Sequence, residues 1–496
     1  MRAAALLLCA LTAFLGACAK APLASAPPAE REAIAARLTQ DIETLASDEF
    51  AGRQPGTPGG EKTVEYLTQR FAEVGLTSGT NDPGNPWRAP VRLTRFRADT
   101  SKVEILMGAR RTRLSDDEAI AVTTRQRELI AEADLVFVGY EAESVPAEAV
   151  MGKVAVMLAD ASLNPERRIL LEAKQAAAVI VVPDVDGALD GFFVAKVRTE
   201  SGPERVALTG EIDEAFGAVA TKAAMARVLG EERWEALMMA ARQSDFTPVD
   251  IDASVSIEAT SERRDFTSYN ILGRLPGTRP NTEAVLLLAH WDHLGFCGPE
   301  GAVDRICNGA VDNASGVSAM LELAQRLADG GPYERDIYVL ATTAEEAGLL
   351  GAKAFAANPP VPLKSLIAAF NFDSVAIAPA GAPVGFVGEG RTPLDPLVLE
   401  TLLAAERDLG DRAFADRFVQ RIDSWVLLQE GVPAVMLSSA FGSEITTGPF
   451  FEGPYHSPSD EAEGVELGGA IDDLLLHEAL VRRLAIPARE TGENAR

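Results

Sequence analysis

Three apolar runs in the second half of this 496-residue chain each stop at a residue able to bind a metal. The run 284–289 (AVLLLA) stops at His290, 337–342 (IYVLAT) stops shortly before Glu345 and Glu346, and 366–372 (LIAAFNF) stops at Asp373. Apolar stretches of this length, rich in Val, Ile and Leu, read as buried strands. Functional groups in such folds gather beyond the carboxyl ends of the strands. Between the first two runs, 314–327 reads as a helix with Val317, Met320, Leu321, Ala324 and Leu327 on one face. Alternating strands and helices define the expected fold class: α/β, with a mixed, largely parallel central sheet flanked by helices.

The polar residues around those strand ends are of few kinds. The whole chain has four histidines, His290, His293, His456 and His477. Two of them, His290 and His456, fall in segments that also carry carboxylates. Imidazole and carboxylate together suit zinc. Serine catalysis lacks its usual signature, because no G-x-S-x-G elbow is present.

The first eighteen residues read as a targeting segment. Arg2 gives a positive start, 3–14 is an apolar run too short to span a bilayer, and Leu15-Gly16-Ala17-Cys18 follows. This tetrapeptide resembles the bacterial lipobox, which implies lipidation of Cys18 and an Ala/Pro-rich tether over 19–29. The expected location is the cell envelope, at the outer membrane facing the periplasm, with the lipid anchor as the membrane contact. The alternative is an ordinary signal peptide cut at a small residue. The net charge of −27 and the lack of a basic patch argue against nucleic acid as a partner. In an oxidising compartment Cys297 and Cys307 form an even pair, so a disulfide is expected, worth roughly 2–3 kcal/mol in the entropic model. Two free thiols and an extra metal site are the alternatives.

Nearer the N-terminus, 30–47 repeats at helical spacing with Ile34, Leu38, Ile42 and Leu45 on one face. The glycines at 56–60 precede Lys62-Thr63, but Glu61 breaks the adjacency that a phosphate loop needs, so they read as a helix-entry turn. From 109 to 247 the texture is that of a small α/β module, with β-rich runs at 134–140, 152–158 and 178–182 and a helix at 167–177. It contains no cluster of catalytic residue types.

Five short motifs occur in one order: His290-Trp291-Asp292, the octapeptide 309–316 (GAVDNASG), 345–348 (EEAG), 371–374 (NFDS) and 455–461 (YHSPSDE). Together they resemble the M28 zinc aminopeptidases, over about 30–108 and 252–485. The module 109–247 resembles the protease-associated domain, inserted into a peptidase domain of 30–108 and 248–496. The resemblance implies two zinc ions per chain. His290 and Asp373 would hold one, Glu346 and His456 the other, and Asp312 would bridge them. Glu345 would be the general base, and Asp292 would accept a hydrogen bond from His290 to fix its tautomer. A cis peptide at Asp312–Asn313 is implied as well.

Tyr455 would either donate to an oxyanion or pack. Asp423 falls where the family has Ser-Asp-His near a substrate-contacting loop, with Ser424 here in place of the histidine. His293 reads as a neighbouring or surface group, His477 as structural, and Asp460 and Glu461 as a solvated loop or helix cap. The activity implied is hydrolysis of the N-terminal peptide bond of a peptide with a free N-terminus. Three rival readings are a single-zinc glutaminyl cyclase, a carboxypeptidase or dipeptidase of the same clan, and a non-catalytic, receptor-like binding protein.

Overall fold

The computed structural model describes residues 25–486 apart from 161, 186, 213–215 and 280–282. The targeting segment and Cys18 lie outside the described residues. Among the described residues, no helix is long and apolar enough to cross a membrane. The chain forms two compact units, one of residues 1–89 and 269–496 and one of residues 90–268.

In the first unit the three apolar runs are strands, Ala284–His290, Asp336–Thr342 and Leu366–Asn371, joined by a fourth, Ala434–Ser438. All four are parallel, in the spatial order 434–438, 366–371, 284–290, 336–342. Antiparallel strands flank them: Gly385–Val387 beyond 434–438, and residues 271–275 beyond 336–342. Strand 284–290 is covered on both faces, which is why its sequence is apolar throughout rather than alternating. Val285, Leu287 and Ala289 pack into a core with the helices Pro28–Leu45, Gly316–Gly330 and Leu467–Ala485. Leu286 and Leu288 pack into a second core with Phe355 and Leu427, from Leu350–Ala357 and Ser424–Gln429.

The strand order reverses at 284–290. The connection to 336–342 goes to one side of it, and the next strand, 366–371, lies on the other. The crevice at the carboxyl end of such a switch point is where α/β sheets bind ligands. His290 and Asp373 lie on its two sides.

The second unit is also α/β. Strands Arg127–Gly139, Val154–Ala159, Ala178–Pro183 and Phe216–Ala220 are mutually parallel in that order, and Ala119–Thr123 closes the edge antiparallel. Apolar cores cover both faces of this sheet. The segment 109–247 lies within this unit.

His477, on helix Leu467–Ala485, is structural. It is 1 % exposed, bonds the Asp473 carbonyl through Nδ1 at 2.7 Å and packs on Phe370 and Phe372. Burial lowers its pKa from 6.5 to about 4. The unfolded chain therefore takes up a proton before the folded one does. The stability this gives is complete above pH 6.5, declines as pH falls and is gone below about pH 4. From this histidine alone, metal-free protein should lose about 2 kcal/mol between pH 7 and pH 5. His477→Gln should flatten the pH dependence of the unfolding free energy by that amount; an unchanged slope would contradict it.

Candidate metal centre

The side chains of the centre lie at strand ends or in irregular turns. Strand 284–290 ends at His290. After 336–342, Ala344 takes a left-handed conformation, and Glu345 and Glu346 then project from a turn instead of alternating. Asp373 comes two residues after the end of strand 366–371. Asp312 lies in the irregular turn Ala310–Ser315 before helix Gly316–Gly330, which is why that helix starts later than its sequence pattern indicates. The Asp312–Asn313 peptide is cis. Asn313 Oδ1 accepts the N–H groups of Gly316 and Ser374 at 2.9 and 3.2 Å, tying this turn to the Asp373 loop.

These elements bring His290, Asp312, Glu345, Glu346, Asp373 and His456 together. His290 Nε2 lies 3.3 Å from Asp312 Oδ1 and 3.5 Å from Asp373 Oδ1. His456 Nε2 lies 3.3 Å from Asp312 Oδ2 and 3.1 Å from Glu346 Oε2. Asp312 thus turns one oxygen to each group. Zinc bonds of about 2.0–2.1 Å place two ligand atoms of a tetrahedron about 3.3–3.4 Å apart. The four separations, 3.1 to 3.5 Å, fall within about 0.2 Å of that edge.

His293 also lies by Asp312 and Glu346, and the three offer atoms within 4.8 Å of one another. Its Nδ1, however, is 2.6 Å from Glu346 Oε1, a hydrogen-bond length too short for two ligands of one ion, and 3.9 Å from Asp312 Oδ2. His293 is fully buried and holds the Glu346 carboxylate while Oε2 faces His456.

Asp292 departs in part from its expected role. His290 Nδ1 is 3.2 Å from the Asp292 main-chain carbonyl but 3.9 Å from its carboxylate. The carboxylate instead accepts the Glu345 N–H at 3.0 Å and so orients that residue. Asp423, expected near the substrate, is 1 % exposed and accepts a hydrogen bond from the Thr342 hydroxyl. Tyr455 stacks on the His456 ring, with centroids 3.7 Å apart and planes 21° apart. Cys297 and Cys307 are disulfide-bonded across the hairpin that pairs 295–296 with 306–307.

Two residues of this region carry no role in the sequence reading. Asp460, expected in a solvated loop or as a helix cap, is 1 % exposed and accepts the main-chain N–H groups of Val311 and Asp312. Arg53 is also 1 % exposed and lies beneath the centre.

Residues 270–472 match the family model of peptidase family M28. The chain contains an M28 peptidase domain. Among curated relatives, the aminopeptidase YwaD of Bacillus subtilis is 35% identical over 123 residues, 24% of this chain and 25% of that protein. A vacuolar membrane protease of Schizosaccharomyces japonicus is 38% identical over 98 residues, 19% of this chain and 10% of that protein. The aligned segments thus span a tenth to a quarter of those relatives' length. An aminopeptidase from Aneurinibacillus sp. strain AM-1 has a similar fold, with a TM-score of 0.52, 18% identity and coverage of 92% of this chain and 95% of that one.

The M28 domain concentrates buried acids at this point. Asp292, Asp312, Glu345, Asp373 and Asp423 are all 9 % exposed or less, and Glu346 joins them. Burial, then the fields of Asp423, Asp373 and Glu346, push the Glu345 pKa well above its usual value, against the pull of His290. Burial also raises Asp292 to about 7 and Asp423 to about 6. Carboxylates crowded in a dry pocket repel one another unless cations sit among them. The M28 centre thus has the donor types, the spacing and the excess of buried acids over histidines that suit divalent metal.

Proposed function

We propose that this protein is a two-zinc aminopeptidase acting on peptides with a free N-terminus. The observation that carries this reading is the pair of ligand groups, each with tetrahedral-edge spacing, that share Asp312. His290 and Asp373 would complete one site, and Glu346 and His456 the other. Zinc bound there would supply Lewis acidity to activate a water and polarise the scissile carbonyl.

The chain's own residues do the rest. Glu345, held by the Asp292 bond to its N–H, takes the proton of the attacking water and returns it to the leaving amine. His293 fixes Glu346 so that one oxygen is free for the metal. Tyr455, stacked on His456, would donate to the developing oxyanion.

By this reading residues 109–247 are a protease-associated insertion, and lipid on Cys18 anchors the protein at the outer membrane facing the periplasm. Supporting it are the LGAC tetrapeptide and the disulfide, which forms in oxidising compartments.

Purified protein should release the first residue from a free peptide and leave its N-acetylated twin intact, with chelator abolishing the release. Equal cleavage of both peptides, or release from the carboxyl end, would refute the aminopeptidase reading.

A further inference from the structure

The turn that carries Asp312 is gripped from both sides by charged groups distant in sequence. Arg53 has five N–H donors, and each goes to a main-chain carbonyl. Nε binds Trp291 O at 2.8 Å, Nη1 binds Leu45 O and Asn308 O at 2.9 and 2.5 Å, and Nη2 binds Gly309 O and Asp312 O at 2.9 and 3.4 Å. Asp460 takes the opposite polarity. Its carbonyl accepts the N–H of Ala310 at 3.1 Å, and its carboxylate accepts those of Val311 and Asp312 at 2.9 and 3.0 Å. Three successive amides thus converge on one residue, and three carbonyls of the same turn converge on the other.

The seat of Arg53 is itself specific. Ala51, Gly52 and Arg53 all have positive φ. A Cβ on Gly52 would lie 2.5 Å from Cys307 O and 2.7 Å from Gly295 Cα, so glycine alone fits against the hairpin.

We infer that Arg53 and Asp460 are positioning residues that clamp the 308–312 turn and thereby set the metal affinity of both sites through Asp312. The clamp links three ligand-bearing segments. Arg53 also holds Trp291, the neighbour of His290, and Asp460 lies four residues after His456. Neither side chain needs to touch metal or substrate. Only a guanidinium can serve five carbonyls in one plane, and only a carboxylate can accept two adjacent amides. The inference rests on the metal reading above.

The variants are Asp460→Asn, Arg53→Lys and Arg53→Met. Asparagine keeps the shape but sets an NH2 against one of the two amides. Zinc affinity is read by competition with a chromogenic chelator, well below each variant's melting temperature. Both sites should weaken at least tenfold in Asp460→Asn, and Arg53→Lys should fall between wild type and Arg53→Met. Two zinc ions bound at wild-type affinity in folded Asp460→Asn would overturn the clamp, as would equal affinities across the Arg53 pair.

Hydrogen exchange on metal-free protein reads the clamp without metal. Exchange at Val311 and Asp312 should quicken at least tenfold in Asp460→Asn; unchanged exchange would overturn the inference. If wild-type protein binds no zinc, the metal reading fails, and the exchange result still decides whether the turn is clamped. If the Arg53 variants do not fold, Asp460→Asn alone decides.

Discussion

Glu345→Gln is expected to lower kcat by about 10²–10⁴-fold while both metal ions stay bound, the range typical for loss of a positioned general base. The side chain lies within the buried acidic pocket, and its N–H is anchored by Asp292. Glutamine fills the same volume and leaves the four ligand separations untouched, but it cannot accept a proton. KM should change little, because substrate binding does not require the proton to move. Metal analysis separates this from a ligand role: loss of one metal from Glu345→Gln would make Glu345 a ligand and leave the base unassigned.

Asp312→Ala should do the reverse and strip metal from both sites. Asp312 is the one acid assigned to both sites, with Oδ1 3.3 Å from His290 Nε2 and Oδ2 3.3 Å from His456 Nε2. Removing Asp373 or Glu346 takes a ligand from one site, whereas removing Asp312 takes one from each and leaves the remaining acids to repel. Activity should be lost with the metals, and added zinc should restore little of either. Two metal ions retained in Asp312→Ala would end the bridging assignment.

The legible part of this molecule is its local part. The runs 284–289, 337–342 and 366–372 form buried strands because both faces of each are covered, and an unbroken apolar run cannot otherwise be stable in water. Their carboxyl ends carry His290, Glu345 with Glu346, and Asp373 because the parallel sheet turns all of them to one edge. Arg53 and Asp460 were not legible in this way. Their partners are main-chain carbonyls and amides, which every residue has, so no side-chain pattern marks them. No pattern in the sequence marks Gly52-Arg53 as buried, and only its seating against Cys307 and Gly295 shows why glycine is needed. Asp292 shows a subtler limit: its proximity to His290 is local, but the bond from the Glu345 N–H depends on the pairing of 284–290 with 336–342.

The central claim is that two metal ions sharing Asp312 drive removal of N-terminal residues. The direct test is titration of metal-free protein with zinc, following bound metal and release of the first residue from a free-amine peptide in the same samples. The account predicts two equivalents of zinc per chain and single-residue release that reaches its plateau at the second equivalent. One equivalent at saturation, with cyclisation of an N-terminal glutamine instead of hydrolysis, would contradict it.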